Sequence, residues 1–323
     1  MELETPLIDK TLQEAGHELV LLPDGISEEK LATEIEDCDI LLMCYTPITR
    51  KVISSATKLK AIIKYGVGID AIDIPAANEK GIMVVNIPEY AEETVAEGAF
   101  ALLIALAKKL PALQNQMEKT AWAWPTQKWL AHDISGKTLG IIGCGKIGNS
   151  MARMAGLGFR AKVIGYDPYK SSEELADHGI EKYDSLTDLI KECDFISLHA
   201  VLNGETKYLI GEDEIKAMKK NAIIINTARG ALIDEMALVA ALEKKQIAGA
   251  GLDVFSQEPL NQANHPLKKL YEMDNVILVP HLTFYTKEAM NRLEVEVLER
   301  FDEVVENRPI TIKSKDPRLQ NQK

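Results

Sequence analysis

Aromatic residues are scarce in this 323-residue chain, at 6% of the total, and only three are tryptophans. The four cysteines, Cys38, Cys44, Cys144 and Cys193, are scattered without C-x-x-C spacing. That argues against a disulfide scaffold or a bound metal and reads as reduced thiols in a cytoplasmic protein. No run of 18 apolar residues exists; the longest candidate, 98–106, is too short to cross a bilayer and is followed by lysines. The acidic start Met1-Glu2-Leu3-Glu4 lacks the basic opening of a secretory signal. Basic residues are in deficit, 37 against 49 acidic, and the net charge of −12 argues against nucleic acid or an anionic membrane as a partner. It does not argue against a small anion, which a local cationic pocket attracts whatever the total charge. Repeats and low-complexity segments are missing too. What remains, 46% hydrophobic and 27% charged, is enough for two domains with separate cores.

The most informative stretch present is Gly143-Cys144-Gly145-Lys146-Ile147-Gly148. It follows a strand-like run, 138–142, and opens a helix-like one, 149–158. A second strand-like run, 161–166, ends at Asp167, 19 positions past Gly148. Strand, glycines, helix, strand and acidic residue in that order predict a dinucleotide site. Gly143 permits the turn, Gly145 lets the backbone approach a pyrophosphate, and Gly148 lets helix and strand pack closely. The N–H groups of Lys146, Ile147 and their neighbours at the helix start face the phosphates. Asp167 predicts NAD over NADP: it accepts from ribose hydroxyls and repels a 2′-phosphate. A hydrogen bond to a charged group contributes roughly 1.5–3 kcal/mol, a preference of about one to two powers of ten.

The first hundred residues alternate strand-like runs (17–22, 39–44, 61–65, 82–86) with helix-like ones (27–36, 49–56, 72–80). Residues 5–15 read as a helix where a βαβ domain would begin with a strand. A long apolar helix, 94–110, is expected to end at Pro111 and lead into the second domain. Residues 111–135 read as an irregular segment carrying Trp122, Trp124 and Trp129, a candidate homodimerisation arm. From 136 onward, strands at 138–142, 161–166, 195–199, 222–227, 248–254 and 276–279 suffice for a six-stranded sheet. A helix at 287–306 then returns to the first domain. The expected fold is α/β, with two doubly wound parallel-sheet domains. A Rossmann-type NAD domain (99–290) is inserted into a discontinuous flavodoxin-like substrate domain (1–98 and 291–323). Ligands of such sheets bind beyond the carboxyl ends of the strands, which predicts a site in the cleft between the domains.

Arg229, Glu258 and His281 each fall just past a predicted strand's carboxyl end. Singly, each has an ordinary explanation as a surface ion pair, a turn residue or a loop residue. Together, behind a dinucleotide motif, they suit reduction of a 2-keto acid. Arg229 grips the carboxylate and polarises the carbonyl. His281 gives a proton to the forming alkoxide, and Glu258 pairs with the imidazole, orients it and raises its pKa.

Here the chain resembles the D-isomer-specific 2-hydroxyacid dehydrogenases over nearly its whole length. The matching pieces are Lys64 to Asp70 (KYGVGID), Val85-Asn86-Ile87-Pro88, Thr94-Val95-Ala96-Glu97 and the glycine fingerprint. Asn226 to Gly230, Gly251 to Phe255, Glu258-Pro259-Leu260 and Pro280-His281 complete the set. The resemblance implies that Arg229, Glu258 and His281 are catalytic and that the backbone amides of Val67 and Gly68 receive the substrate carboxylate. It implies Thr94 near the cofactor phosphates and Ala228 and Asp253 near the nicotinamide amide, a strand-end cap being the other reading of Asp253. Tyr65 and Tyr285, with Phe284, are expected to wall the substrate's side chain. Three departures stand out. The family's opening strand is not visible, and Val201 stands where a proline is common. Leu282 to Thr286 also resembles the D-lactate and D-2-hydroxyisocaproate branch, whereas Lys64 to Asp70 resembles the phosphoglycerate and hydroxypyruvate branches.

The expected function is NAD-dependent interconversion of a small 2-keto acid and its D-2-hydroxy acid by a cytoplasmic homodimer. Alternatives are a phosphite or phosphoglycerate dehydrogenase, or a non-catalytic NAD(H) sensor that uses the fold to bind a protein. The formate branch is disfavoured, since its members carry glutamine in place of Glu258.

Overall fold

Pro6 at the first position starts helix α1 (Pro6–Glu14), where a fixed φ suits the helix and a missing N–H is no loss. The next two orphan donors, the N–H groups of Leu7 and Ile8, are taken by Glu294 Oε2 at 2.7 and 3.1 Å. Helices α2 (Glu28–Glu34), α3 (Arg50–Ser55) and α4 (Ile74–Glu79) begin behind the capping side chains of Ser27, Thr49 and Asp73. They alternate with strands β1 (Ile40–Met43), β2 (Ala61–Lys64) and β3 (Met83–Asn86), which form a parallel sheet in the order β1-β2-β3.

Residues 17–22, expected to be a further strand, form none. Residues 17–23 line a cavity of about 700 Å³ together with β1 instead of pairing with it, and Val20 and Leu21 are exposed. A short apolar run makes a strand only where a neighbouring edge takes up its N–H and C=O groups.

This computed structural model describes residues 3–261 and 265–322. The chain divides into two units, Met1–Ala91 with Tyr285–Lys323, and Glu92–Phe284. These divisions lie a few residues from the expected 98/99 and 290/291.

The second unit opens with α5 (Glu92–Ala107), and α6 (Leu110–Thr120) follows almost at once. Pro111 therefore does not end a helix at 110. It lies in the first turn of α6, where no N–H is needed, and the left-handed backbone of Lys109 makes the bend. The expected irregular segment 111–135 is thus largely helical at its start, and no residue of α6 is buried.

The large sheet follows: β4 (Thr138–Ile142), α7 (Lys146–Arg153), β5 (Lys162–Tyr166), α8 (Ser172–Ala176), β6 (Glu181–Lys182), α9 (Leu186–Glu192) and β7 (Phe195–Leu198). Then come α10 (Glu212–Ala217), β8 (Ile223–Asn226), α11 (Glu235–Glu243), β9 (Gly249–Leu252) and β10 (Val276–Leu278). The seven strands are parallel in the order β10-β9-β8-β7-β4-β5-β6, one more than expected because the two-residue β6 closes an edge. Strands β7, β8 and β9 are buried at every position, which explains their continuous apolar runs. The strand order reverses between β4 and β7, so the ligand crevice of this sheet lies at their carboxyl ends.

Helix α12 (Lys287–Val305) belongs to the first unit, against α1 and β2, and α13 (Pro317–Gln320) adds Leu319 to that unit's core. Among the described residues, no helix is long and apolar enough to cross a membrane, and no cluster of metal-ligating side chains exists. None of the four cysteines forms a disulfide.

Candidate active site

The glycine-rich turn leaves β4 at the switch point. Gly143 has φ +90°, and a Cβ there would lie 2.5 Å from the backbone nitrogen of Ala200, so only glycine fits. A Cβ on Gly148 would meet the Gly143 carbonyl at 2.3 Å, which shows how tightly α7 packs on the turn. Gly145 is the N-cap and has no side chain to satisfy the first N–H groups of α7. Those donors and the helix dipole suit a pyrophosphate. At the end of β5, Asp167 Oδ2 accepts the N–H of Cys144 and Oδ1 that of Tyr169, each at 3.0 Å. The carboxylate is thereby fixed beside the turn, and its remaining lone pairs suit ribose hydroxyls. Lys170, a basic residue three positions after Asp167, is paired with Glu174 at 2.8 Å. Burial pushes the Cys144 thiol up to about 12, so it stays protonated within the fingerprint. Lys146 pairs with Glu92 at 2.9 Å, and Thr94 is buried in the first turn of α5. This donor set fits NAD.

Three neighbouring strands at the other edge of the sheet carry the charged residues. Asn226 of β8 is level with Leu252 of β9, and Leu252 with Leu278 of β10. Arg229, Glu258 and His281 therefore leave the same end of three adjacent strands. The loops behind β8 and β9 nearly touch: a Cβ on Gly230 would lie 1.9 Å from the carbonyl carbon of Phe255. Asn226 holds the first loop, accepting the N–H of Ala228 at 3.0 Å and donating to the carbonyl of Arg229 at 2.9 Å.

His281 Nδ1 lies 2.7 Å from Glu258 Oε2, and Glu258 Oε1 accepts the N–H of Phe255 at 2.7 Å. Burial works to raise the Glu258 pKa. The hydrogen bond and charge of His281, the Phe255 N–H and the charge of Arg229 outweigh it and hold the carboxyl below the ordinary glutamate range. Glu258 is thus ionised at neutral pH and engages the imidazole through Nδ1. The structure brings the three predicted residues into one constellation.

Asp253 is buried at the end of β9, and its carboxylate accepts the N–H groups of Leu282 and Thr283 and the Thr283 hydroxyl. These bonds and the N–H of His281 on the Asp253 carbonyl (2.7 Å) hold His281 in a left-handed backbone conformation, φ 56°. The strand-end cap reading of Asp253 describes these contacts. Phe284 packs edge-on against the His281 ring, with centroids 6.2 Å apart.

In the first unit, Val67 and Gly68 form the loop after β2. Tyr65 is half-buried in that unit; burial of its phenol pushes the pKa up, and a hydrogen bond with Thr5 works in the opposite sense. Tyr285 is exposed. Three polar residues were not singled out as site residues from sequence: Asn226, Asn86 and Lys64. The signal was available for the first two, since each is an asparagine ending a buried apolar strand.

The fold and turn define the class: a dinucleotide-binding doubly wound domain with an arginine, a glutamate and a histidine at its strand ends. Residues 100–283 match the profile of the D-isomer specific 2-hydroxyacid dehydrogenase NAD binding domain. The chain is 41% identical over 297 residues, 92% of its length, to the D-3-phosphoglycerate dehydrogenase of Methanocaldococcus jannaschii, and spans 55% of that protein. It is 40% identical to the glyoxylate reductase of Korarchaeum cryptofilum, covering 84% of this chain and 81% of that one. The D-lactate dehydrogenase of Aquifex aeolicus, solved with NAD and lactic acid, superposes with a TM-score of 0.83 at 33% identity, covering 94% of this chain and 93% of that one. The chain belongs to the D-isomer-specific 2-hydroxyacid dehydrogenase family.

Proposed function

We propose that this protein is an NAD-dependent oxidoreductase that interconverts a small 2-keto acid and its D-2-hydroxy acid. The observation that carries this reading is the 2.7 Å pair of His281 with an ionised Glu258 beside Arg229, on the sheet that bears the glycine-rich turn. When bound, the nicotinamide supplies or takes up the hydride. Arg229 grips the substrate carboxylate and polarises the keto oxygen. His281 donates the Nε2 proton to that oxygen as it becomes an alkoxide, while Glu258 stabilises the imidazolium before transfer and holds the ring in register. In the oxidative direction the same nitrogen removes the hydroxyl proton.

Within the cofactor unit, Gly143, Gly145, Lys146, Ile147 and Gly148 serve the pyrophosphate and Asp167 the ribose. Thr94 lies near the phosphates, and Ala228 and Asp253 near the carboxamide. The amides of Val67 and Gly68 receive the carboxylate, and Tyr285 contributes to the side-chain wall. We assign residues 99–290 as the NAD domain and the remainder as the substrate domain, in a cytoplasmic homodimer. The dimer reading is supported by the arm at 111–135, where Trp122 and Trp124 are 58% and 75% exposed and stack edge-to-face on each other.

The test is absorbance of NADH on mixing with 2-keto acids bearing hydrogen, methyl, hydroxymethyl or phosphorylated side chains. Turnover of at least one, with NADH strongly preferred to NADPH, is expected. Tight NADH binding without turnover on any of them would favour the sensor instead.

A further inference from the structure

The loop after β2 presents its peptide groups in one sense, and the donors responsible are identifiable. The carbonyl of Gly66 accepts the N–H of Ile87 at 3.1 Å, and that of Val67 accepts Asn86 Nδ2 at 2.6 Å. Both donors sit side by side at the carboxyl end of β3. One residue earlier, the carbonyl of Tyr65 accepts Lys64 Nζ at 2.9 Å, and the same ammonium bonds the carbonyl of Cys44. In a planar trans peptide the N–H points opposite to the preceding carbonyl. With the Gly66 and Val67 carbonyls drawn to β3, the N–H groups of Val67 and Gly68 must both face away from it. Among the described residues, neither N–H has a protein acceptor. Val67 is exposed and Gly68 half-buried, so solvent or a ligand reaches them. Two parallel amide donors at a loop form an anion-binding concavity.

Asn86 is 3% exposed, and its Oδ1 has no hydrogen-bond partner among the described residues. The side-chain amide cannot be turned over, because its oxygen would then face the Val67 carbonyl. Burying this group costs free energy that one bond to Val67 only partly offsets. A leucine would fill the space without that cost. The polar side chain is therefore tied to the loop it holds.

We propose that Asn86 is a positioning residue, which with Lys64 pre-sets the Val67–Gly68 amide pair to receive the substrate carboxylate. The inference rests on the dehydrogenase reading, and it adds that the pair's orientation depends on a side chain that does not touch substrate. Lys64 contributes a buried ammonium beneath the same loop, 3.9 Å from where a Cβ on Gly66 would stand.

The experiment compares the parent enzyme with Asn86→Asp and Asn86→Gln. Losing hydrogen bonds to a charged group weakens binding about ten- to a hundredfold. Asn86→Asp removes the donor without changing size, so its KM for the best 2-keto acid should rise by that factor, with kcat within about threefold. NADH affinity should be unchanged, and Asn86→Gln, which keeps the donor, should recover part of the KM. A second measurement follows the backbone amide signals of Val67 and Gly68 by NMR during titration with oxalate, a dianion shaped like the substrate. The parent should show saturable shifts and Asn86→Asp should need at least tenfold more oxalate. An unchanged KM with a lower melting temperature, or identical oxalate titrations in parent and Asn86→Asp, would overturn the proposal. A parent that binds oxalate at these amides but reduces no 2-keto acid would overturn the dehydrogenase reading and leave the positioning role standing.

Discussion

On the proposed reading the His281 ring acts as an acid in one orientation only, and the 2.7 Å bond to Glu258 fixes that orientation. Burial alone would favour a neutral carboxyl at position 258, but three partners reverse the balance. A depressed carboxylate pKa stabilises the fold above the ordinary glutamate value, and that contribution is lost as the pH falls through the lower, folded value. At neutral pH position 258 is therefore a carboxylate. Replacing Glu258 with glutamine removes the charged acceptor that holds the ring, and losing a hydrogen bond to a charged group costs roughly 1.5–3 kcal/mol. On the proposed reading, kcat for keto-acid reduction should fall about ten- to a hundredfold with NADH affinity unchanged; a variant with the parent's kcat would show that the pair has no role in proton transfer.

Elements act here through turns that tolerate no side chain, and two glycines separate cofactor binding from chemistry. Gly143→Ala forces a Cβ into the backbone at Ala200 and holds alanine at a positive φ, at a cost of roughly 1–3 kcal/mol in stability. It also displaces the start of α7, so NADH affinity measured by fluorescence should fall at least tenfold. Gly230→Ala drives a Cβ into the loop behind β9 and parts Arg229 from Glu258. It should lower kcat/KM for the keto acid at least tenfold and leave NADH affinity within twofold. If both variants lost NADH binding alike, the separation of the two edges of the sheet would be wrong.

For the whole molecule, acid stability and association are the testable properties. Burial lowers the His199 pKa to about 4, with Ser197 Oγ 2.8 Å from Nε2. The folded state then binds this proton less readily than the unfolded one. Stability from the neutral ring is full above the unfolded pKa near 6.5 and declines as the pH falls toward 4, by of the order of 3 kcal/mol in all. Thermal melts of the parent should drop across that range, and His199→Asn should flatten the decline; parallel curves would discount the histidine. Association is carried on this reading by the tryptophan arm. Trp122→Ala with Trp124→Ala should shift sedimentation toward monomer by at least tenfold in dissociation constant, and an unaltered equilibrium would remove the arm from the interface.

Much of this was legible in the residues themselves. The periods of apolar residues located six strands of the large sheet, because a strand buried on both faces must be apolar throughout. The glycine spacing located the dinucleotide turn, since steric exclusion of a Cβ is a local demand. Arg229, Glu258 and His281 were visible as polar residues at the ends of apolar runs. Other features required coordinates, for reasons that are not local. Residues 17–22 carry a short apolar run, Leu19-Val20-Leu21-Leu22, as a strand can, but a strand exists only beside another edge, and none pairs with them. Pro111 can end a helix or begin one, and only the bend at Lys109 decides which. Asp253 and Asn86 look alike in sequence, each a polar strand end. What each does is set by which N–H groups, up to thirty residues away, the chain folds back to deliver.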